Sequence, residues 1–264
     1  MGFLTTRVRC IAAYAVERVG FGVPEVVGAV GDEVLFIVDG VGGFQFAPLL
    51  VRRALRQIGS SLCTILYDWQ FGLTGEIWTD LMWVRRNRVM GAKLARKILA
   101  FRREHPKVKI HVLAVSGGAG IAVFGCESLR GRRIIDTLIL ACPALSPTYP
   151  LGPALRTVER CYALVSRRDR FILGIGTTIF GTTDRRFTRA AGCVGFRLPP
   201  DVSQEDREMY DRLSEIRWTP ELRRDGHPGS HTSWASPPFV RRHLLPMVHG
   251  RPLLPEWTIV GERG

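Results

Sequence analysis

The sequence predicts an α/β fold built on a mostly parallel central sheet with helices on both faces. Three observations carry that expectation. Apolar runs of strand length alternate along the chain with segments of helical period, the order that parallel strands joined by crossover helices require. At 264 residues and 46% hydrophobic content, the chain is long enough to bury one sizeable core. No internal repeat is visible, so a single domain is expected rather than an array.

Val34–Asp39 is an uninterrupted apolar run and reads as a buried strand. Ala47–Ile58 follows with helical periodicity and arginines on one face, and Leu62–Tyr67 is the next strand. Val89–Arg103 reads as a basic helix ending before Pro106. Ile110–Val115 is a strand, Gly118–Leu129 a helix and Ile134–Ala141 a strand, broken by Pro143 and Pro147. Leu151–Arg160 reads as a short helix and Cys161–Ser166 as another strand.

The order then loosens. Residues 171–200 are rich in Gly, Thr and Arg with weak periodicity, and read as an irregular, lid-like insertion that borders or covers a site rather than as core. Ile216–Thr219 is a candidate last strand and Phe239–Val248 a last helix, entered through Ser236 as N-cap and the pair Pro237 and Pro238. The expected organisation is a basic amphipathic segment over 1–31 packed on the domain, the domain itself over 32–250, and a tail over 251–264.

Cys10, Cys63, Cys126, Cys142, Cys161 and Cys193 are scattered without a close pair and lie mostly in apolar segments. Reduced, packed thiols in a cytoplasmic protein are expected, with no metal framework. The net charge of +13 is almost wholly arginine, since Lys93, Lys97, Lys107 and Lys109 are the only lysines. It is spread along the chain and reads first as a solvated surface, with no specific nucleic-acid partner implied. No apolar run approaches a membrane span and no secretory signal is visible. The first residues, from Met1 and Gly2 to Thr6, fit a loose myristoylation pattern, and Leu4–Val19 reads as a basic amphipathic helix able to touch a membrane surface or pack on the domain.

The chemistry centres on the run from Lys109 to Cys126, in which an apolar strand, a turn of small residues with one serine, and a helix follow one another. A serine on such a corner projects its hydroxyl clear of the sheet, while the helix N-terminus offers backbone N–H groups to a developing oxyanion. Ser116 is therefore the candidate nucleophile. A dinucleotide-binding loop is the other reading of Gly118 and Gly120, but Val123 stands where its third glycine belongs and no acidic residue closes the next strand. An inert tight turn is the third.

These residues, in this order, resemble the α/β-hydrolase family over roughly Asp32 to Val248. Ile37–Phe44, rich in glycine, is similar to the family's oxyanion loop, with Asp39 where a histidine is usual and the N–H of Val41, or of Gly42 beside it, as a donor. Tyr67–Gly75 is similar to the segment that shapes the loop over the sheet, where Trp69 or Phe71 is placed to line an acyl pocket or simply to pack. Ala114-Val-Ser-Gly-Gly118 resembles the family's Gly-x-Ser-x-Gly elbow with alanine in the first position, and makes Gly117 N–H the main oxyanion donor. The family's chain order of serine, acid and histidine implies Asp169 as the acid, with Asp184 as the alternative. It implies His231 as the base, with His227 as the alternative and the other histidines in solvated or packed roles.

The resemblance implies a serine hydrolase that cleaves a small-molecule ester, or a thioester or amide, by acyl transfer without a cofactor. The expectation from a different class is a non-catalytic protein of the same fold, engaging an anionic membrane or partner through a basic face, motivated by Ala114 and Asp39. Arg185, Arg186, Arg189 and Arg197 in the irregular segment suit either anionic substrates or a plain surface.

Overall fold

A computed structural model describes residues 23–42, 45–70, 83–169 and 171–251. The expectations for the amphipathic helix Leu4–Val19, the myristoylation pattern, Cys10, Phe71 and the tail beyond Arg251 lie outside the described residues.

The chain folds around a seven-stranded sheet in the order β1-β3-β2-β4-β5-β6-β7, formed by β1 Val26–Val27, β2 Glu33–Val38, β3 Cys63–Tyr67, β4 Lys109–Val115, β5 Ile135–Ala141, β6 Val158–Val165 and β7 Leu213–Arg217. Only β1 runs antiparallel, against β3; every other neighbour pair is parallel. This is the α/β architecture the sequence predicts. The strand order reverses between β2 and β4, the position in open α/β sheets where ligand sites tend to form.

Both faces of the sheet are covered, which is why the inner strands read as continuous apolar runs rather than alternating ones. Along β2, Val34, Phe36 and Val38 face one core while Leu35 and Ile37 face the other. The first core is closed by two helices, Val84–Glu104 and Gly117–Ser128, through Leu94, Ile98, Phe101, Ile121 and Phe124. The second is closed by α1, Phe46–Gln57, and by the C-terminal helical segment Pro237–Val248, through Val51, Leu55, Phe239, Leu244 and Met247. With α1 named, the helices Val84–Glu104 and Gly117–Ser128 are α2 and α3.

Three expectations change. Helix α2 begins at Val84, five residues before the expected start, on a Trp83 N-cap that makes no side-chain cap bond. The helix expected over Leu151–Arg160 is one turn, Gly152–Leu155, and β6 already begins at Val158, which pairs with Ile135 of β5. Residues 171–200 are not a detached lid: a wide-turn helix Phe171–Gly176 runs into Thr177–Phe180, and with the turn Ala191–Val194 it sends Leu173, Ala190 and Cys193 into the second core.

The described cysteines are all buried. Among the described residues no helix is long and apolar enough to cross a membrane.

Candidate active site

Ser116 stands between the last residue of β4 and the first of α3 with φ 53° and ψ −120°. A side chain rarely adopts positive φ, and the surroundings must hold it there. Here Ser116 N–H donates to Ala141 O (3.0 Å), Ala144 N–H donates to Ser116 O (3.0 Å), and Ala119 N–H donates to the same oxygen (3.1 Å). The corner is thus pinned to the end of β5 as well as to its own helix.

The small residues around the serine are steric requirements. A Cβ on Gly118 would lie 2.1 Å from the Asp39 carbonyl oxygen and 2.8 Å from that of Val38, so α3 enters hard against the loop after β2. A Cβ on Gly117 would lie 2.5 Å from Val41 Cγ1, which places Val41 directly beside the proposed main oxyanion donor. Ala114, by contrast, is an ordinary buried strand residue paired with Val38 and Leu140, and its methyl group is accommodated in the first core.

Asp39 points away from this corner. Its carboxylate accepts from Ala47 N–H (3.2 Å) in the first turn of α1, and its carbonyl accepts from Trp69 Nε1 (2.9 Å). Trp69 is buried and ties the loops after β2 and β3 together, and its ring edge reaches the Gly117 position, where an added Cβ would lie 3.9 Å away. Burial pushes the Asp39 carboxyl up from 3.8 to about 6, against the lowering effect of backbone donors from Gly40 and Ala47. The folded protein thus holds this proton more tightly than the unfolded chain does. The resulting stability is fully present below pH 3.8 and is lost as pH rises through about 6. The stability of Asp39→Asn relative to the native chain is expected to rise by on the order of 3 kcal/mol between pH 4 and pH 7, read from urea unfolding at the two pH values. An unchanged difference would show that the native carboxyl titrates normally.

The proposed acid and base meet. Asp169, just past β6, is buried, and its Oδ2 is hydrogen-bonded to Nδ1 of His231, which follows β7. Arg167 and Arg168 lie beside Asp169 in the sequence, but among the described residues no arginine forms an ion pair with it. The His231 carbonyl accepts from Trp234 Nε1 (2.8 Å), which fixes the loop carrying the imidazole. Among the described residues the Ser116 hydroxyl makes no hydrogen bond, so the structure joins Asp169 to His231 but joins neither of them to the serine. Such links commonly tighten only when substrate binds.

The alternatives have other employment. Asp184 accepts from Ser146 N–H (2.8 Å), Ser146 Oγ (2.5 Å) and Thr182 Oγ1 (2.7 Å), and so fastens the insertion to the loop after β5. His227 shares a 2.5 Å hydrogen bond with Ser233 Oγ inside its own loop, and burial pushes its pKa down to about 4. His243 is buried against Asp225 (2.6 Å), and the half-buried His249 pairs with Glu33 (2.5 Å). Val41, Gly117 and Asp169 lie with Ser116 at the C-terminal ends of the strands, and His231 is brought there by its bond to Asp169.

One neighbour was not singled out from the sequence. Cys142, at the end of β5 with φ 49°, brings its sulfur within 4.8 Å of the facing Asp169 and His231 atoms. Its positive φ just beyond a strand carries no sequence signature for a non-glycine residue. Burial first, then Asp169 and Cys193, push its thiol well above the usual range. A metal ion would need the thiolate and would have to break the Asp169–His231 bond, so the cluster suits proton transfer better than ligation.

No protein-family model and no curated protein matches the chain. It is similar to the crystal structure of an uncharacterized protein from Bacillus cereus, at 13% identity and a TM-score of 0.38, over 76% of this chain and 64% of that one. The chain therefore spans less than two thirds of that protein's length.

Proposed function

We propose that the chain is a serine hydrolase that cleaves a carboxylic ester by acyl transfer. The observation that carries this reading is a serine held at positive φ on a strand-to-helix corner, at the same end of the sheet as a buried carboxylate paired with a histidine. A packed core gains nothing from a strained serine, and strain of this kind gathers at functional sites.

In this mechanism His231 Nε2 takes the proton of Ser116 Oγ as the oxygen attacks the ester carbonyl. Asp169 holds the Nδ1 proton and stabilises the imidazolium that forms. The N–H groups of Gly117 and Val41 receive the negative charge that builds on the carbonyl oxygen. His231 passes its proton to the leaving alkoxide, the ester C–O bond breaks, and Ser116 is left acylated. Water, deprotonated by His231, then attacks the acyl group, and Ser116 regains its proton as the acid departs. No cofactor enters any step.

The open link between Ser116 and His231 favours one other reading, a non-catalytic protein that uses the fold to bind an anionic membrane or partner. The two separate on treatment of the native protein with a fluorophosphonate. The hydrolase reading expects one covalent adduct per chain, mapped by peptide mass to Ser116. Absence of an adduct from well-folded protein, together with salt-sensitive binding to anionic vesicles, favours the binding reading.

A further inference from the structure

A cavity of about 920 Å³ opens between the residue two past β6 and the segment 174–197, and its walls carry Arg167, Arg189 and Arg197 with small and apolar residues such as Gly174, Ile179 and Val194. Among the described residues no acidic side chain lines it. Among the described residues, none of the three guanidinium groups enters an ion pair. Four arginines elsewhere are tied down by contrast: Arg102 to Asp136 and three carbonyls, Arg156 to Asp206, Arg212 to the carbonyls of Leu155 and Val158, and Arg242 to Asp225.

The cavity is joined to the candidate site by short covalent and packing steps. Arg167 lies two residues before Asp169. Arg189 and Arg197 flank the turn Ala191–Val194, which is fastened between the ends of β5 and β6: Gly192 N–H donates to Pro143 O (2.9 Å) and Ser166 N–H donates to Gly192 O (2.9 Å). Gly192 presses so closely on Cys142 that a Cβ there would lie 2.4 Å from its carbonyl carbon. Cys142 is in turn the residue whose sulfur adjoins Asp169 and His231.

Three like charges gathered around one concave space repel one another unless an anion joins them. Apolar walls focus their field into that space. Guanidinium forks match the two oxygens of a carboxylate or the oxygens of a phosphate. A volume of this size takes a small organic molecule and not merely an ion.

We propose that this cavity binds the anionic end of the substrate, a carboxylate or a phosphate, and so directs the hydrolase toward esters that carry a negative charge away from the scissile carbonyl. The inference rests on the serine-hydrolase reading, and the test keeps the two apart. Hydrolysis of 4-nitrophenyl butyrate, mono-4-nitrophenyl glutarate and the butyryl ester of glycerol 3-phosphate compares a neutral ester with carboxylate and phosphate arms.

The charged-to-neutral ratio of kcat/KM is expected to exceed unity by about tenfold on one arm and to fall by about tenfold in Arg189→Gln and in Arg197→Gln. Arg103→Gln, on the distant end of α2, keeps the ratio and controls for net charge. Calorimetric titration of Ser116→Ala protein with glutarate and with inorganic phosphate reads the same cavity without turnover. The preferred anion is expected to bind, and the added Arg189→Gln change to weaken it. Hydrolysis of all three esters with no preference, and no arginine-dependent anion binding, overturns the cavity proposal and leaves the hydrolase standing. Arginine-dependent binding without hydrolysis of any ester supports the anion site and overturns the hydrolase.

Discussion

Ser116→Ala is expected to lower kcat for ester hydrolysis by about 10⁶-fold while the protein stays folded. The magnitude follows from losing the nucleophile in a machine whose parts work as a unit. His231→Ala should therefore cost about as much, and the double variant hardly more. Asp169→Asn keeps the side-chain shape but favours the wrong imidazole tautomer, for a loss of about 10⁴-fold. A residue of catalysis above the uncatalysed rate remains in every case if Gly117 and Val41 N–H groups still receive the oxyanion.

The fold is expected to survive Ser116→Ala because the hydroxyl makes no hydrogen bond among the described residues. The strain is carried by backbone bonds to Ala141 and Ala144, which alanine keeps. A thermal midpoint within about 2 °C of the native value, with activity gone, is the combination that belongs to a nucleophile. Activity unchanged in Ser116→Ala would end the proposal. Asp184→Asn supplies the contrast, since it loosens the contacts to Ser146 and Thr182 and should lower the midpoint more than it lowers kcat.

The sheet was legible because its physics is local and strong. The apolar run Val34–Val38 of β2 has no polar face, as expected of a strand covered on both sides, and β4 repeats it over Val112–Val115. The elbow was legible for a similar reason: the run of small residues after Val115 suits nothing but a close approach, and the Asp39 carbonyl supplies it. What was not legible depends on contacts between distant segments. β6 starts at Val158 because Ile135 is there to pair with it, and Leu173, Ala190 and Cys193 are core residues only because β5 and β6 end beneath them.

The candidate site divides along the same line. Asp169 sits among arginines in the sequence, where a surface ion pair is the ordinary outcome. It is instead buried and turned to a histidine 62 residues away, a pairing made by β6 and β7 lying side by side. Cys142 carried no mark at all. Nothing in the sequence around Arg167 marks it for a site, and only the path of residues 189–197 across the strand ends gathers it with Arg189 and Arg197 around one cavity.

The elbow's dependence on glycine gives the second large expected effect. Gly118→Ala is expected to lower the thermal midpoint by about 10 °C, a cost of about 3 kcal/mol, and to reduce kcat by about 10² to 10³-fold. The methyl group would fall 2.1 Å from the Asp39 carbonyl oxygen, a backbone atom that cannot swing aside as a side chain would. That oxygen is held from the other side by Trp69 Nε1, itself fully buried. Relief must therefore come from moving the loop after β2 away from α3, which carries Gly40 and Val41 with it and opens the space where the oxyanion is received. Stability and activity fall together because one displacement causes both. Gly31→Ala, at an exposed glycine with nothing within 4 Å and no positive φ, should leave both unchanged within about 0.5 kcal/mol and twofold in rate. Thermal unfolding and ester turnover measured on the two variants decide it. A Gly118→Ala protein as stable as the native chain would mean that the loop and the helix do not meet as closely as this, and with that contact would go the placement of Val41 beside Gly117.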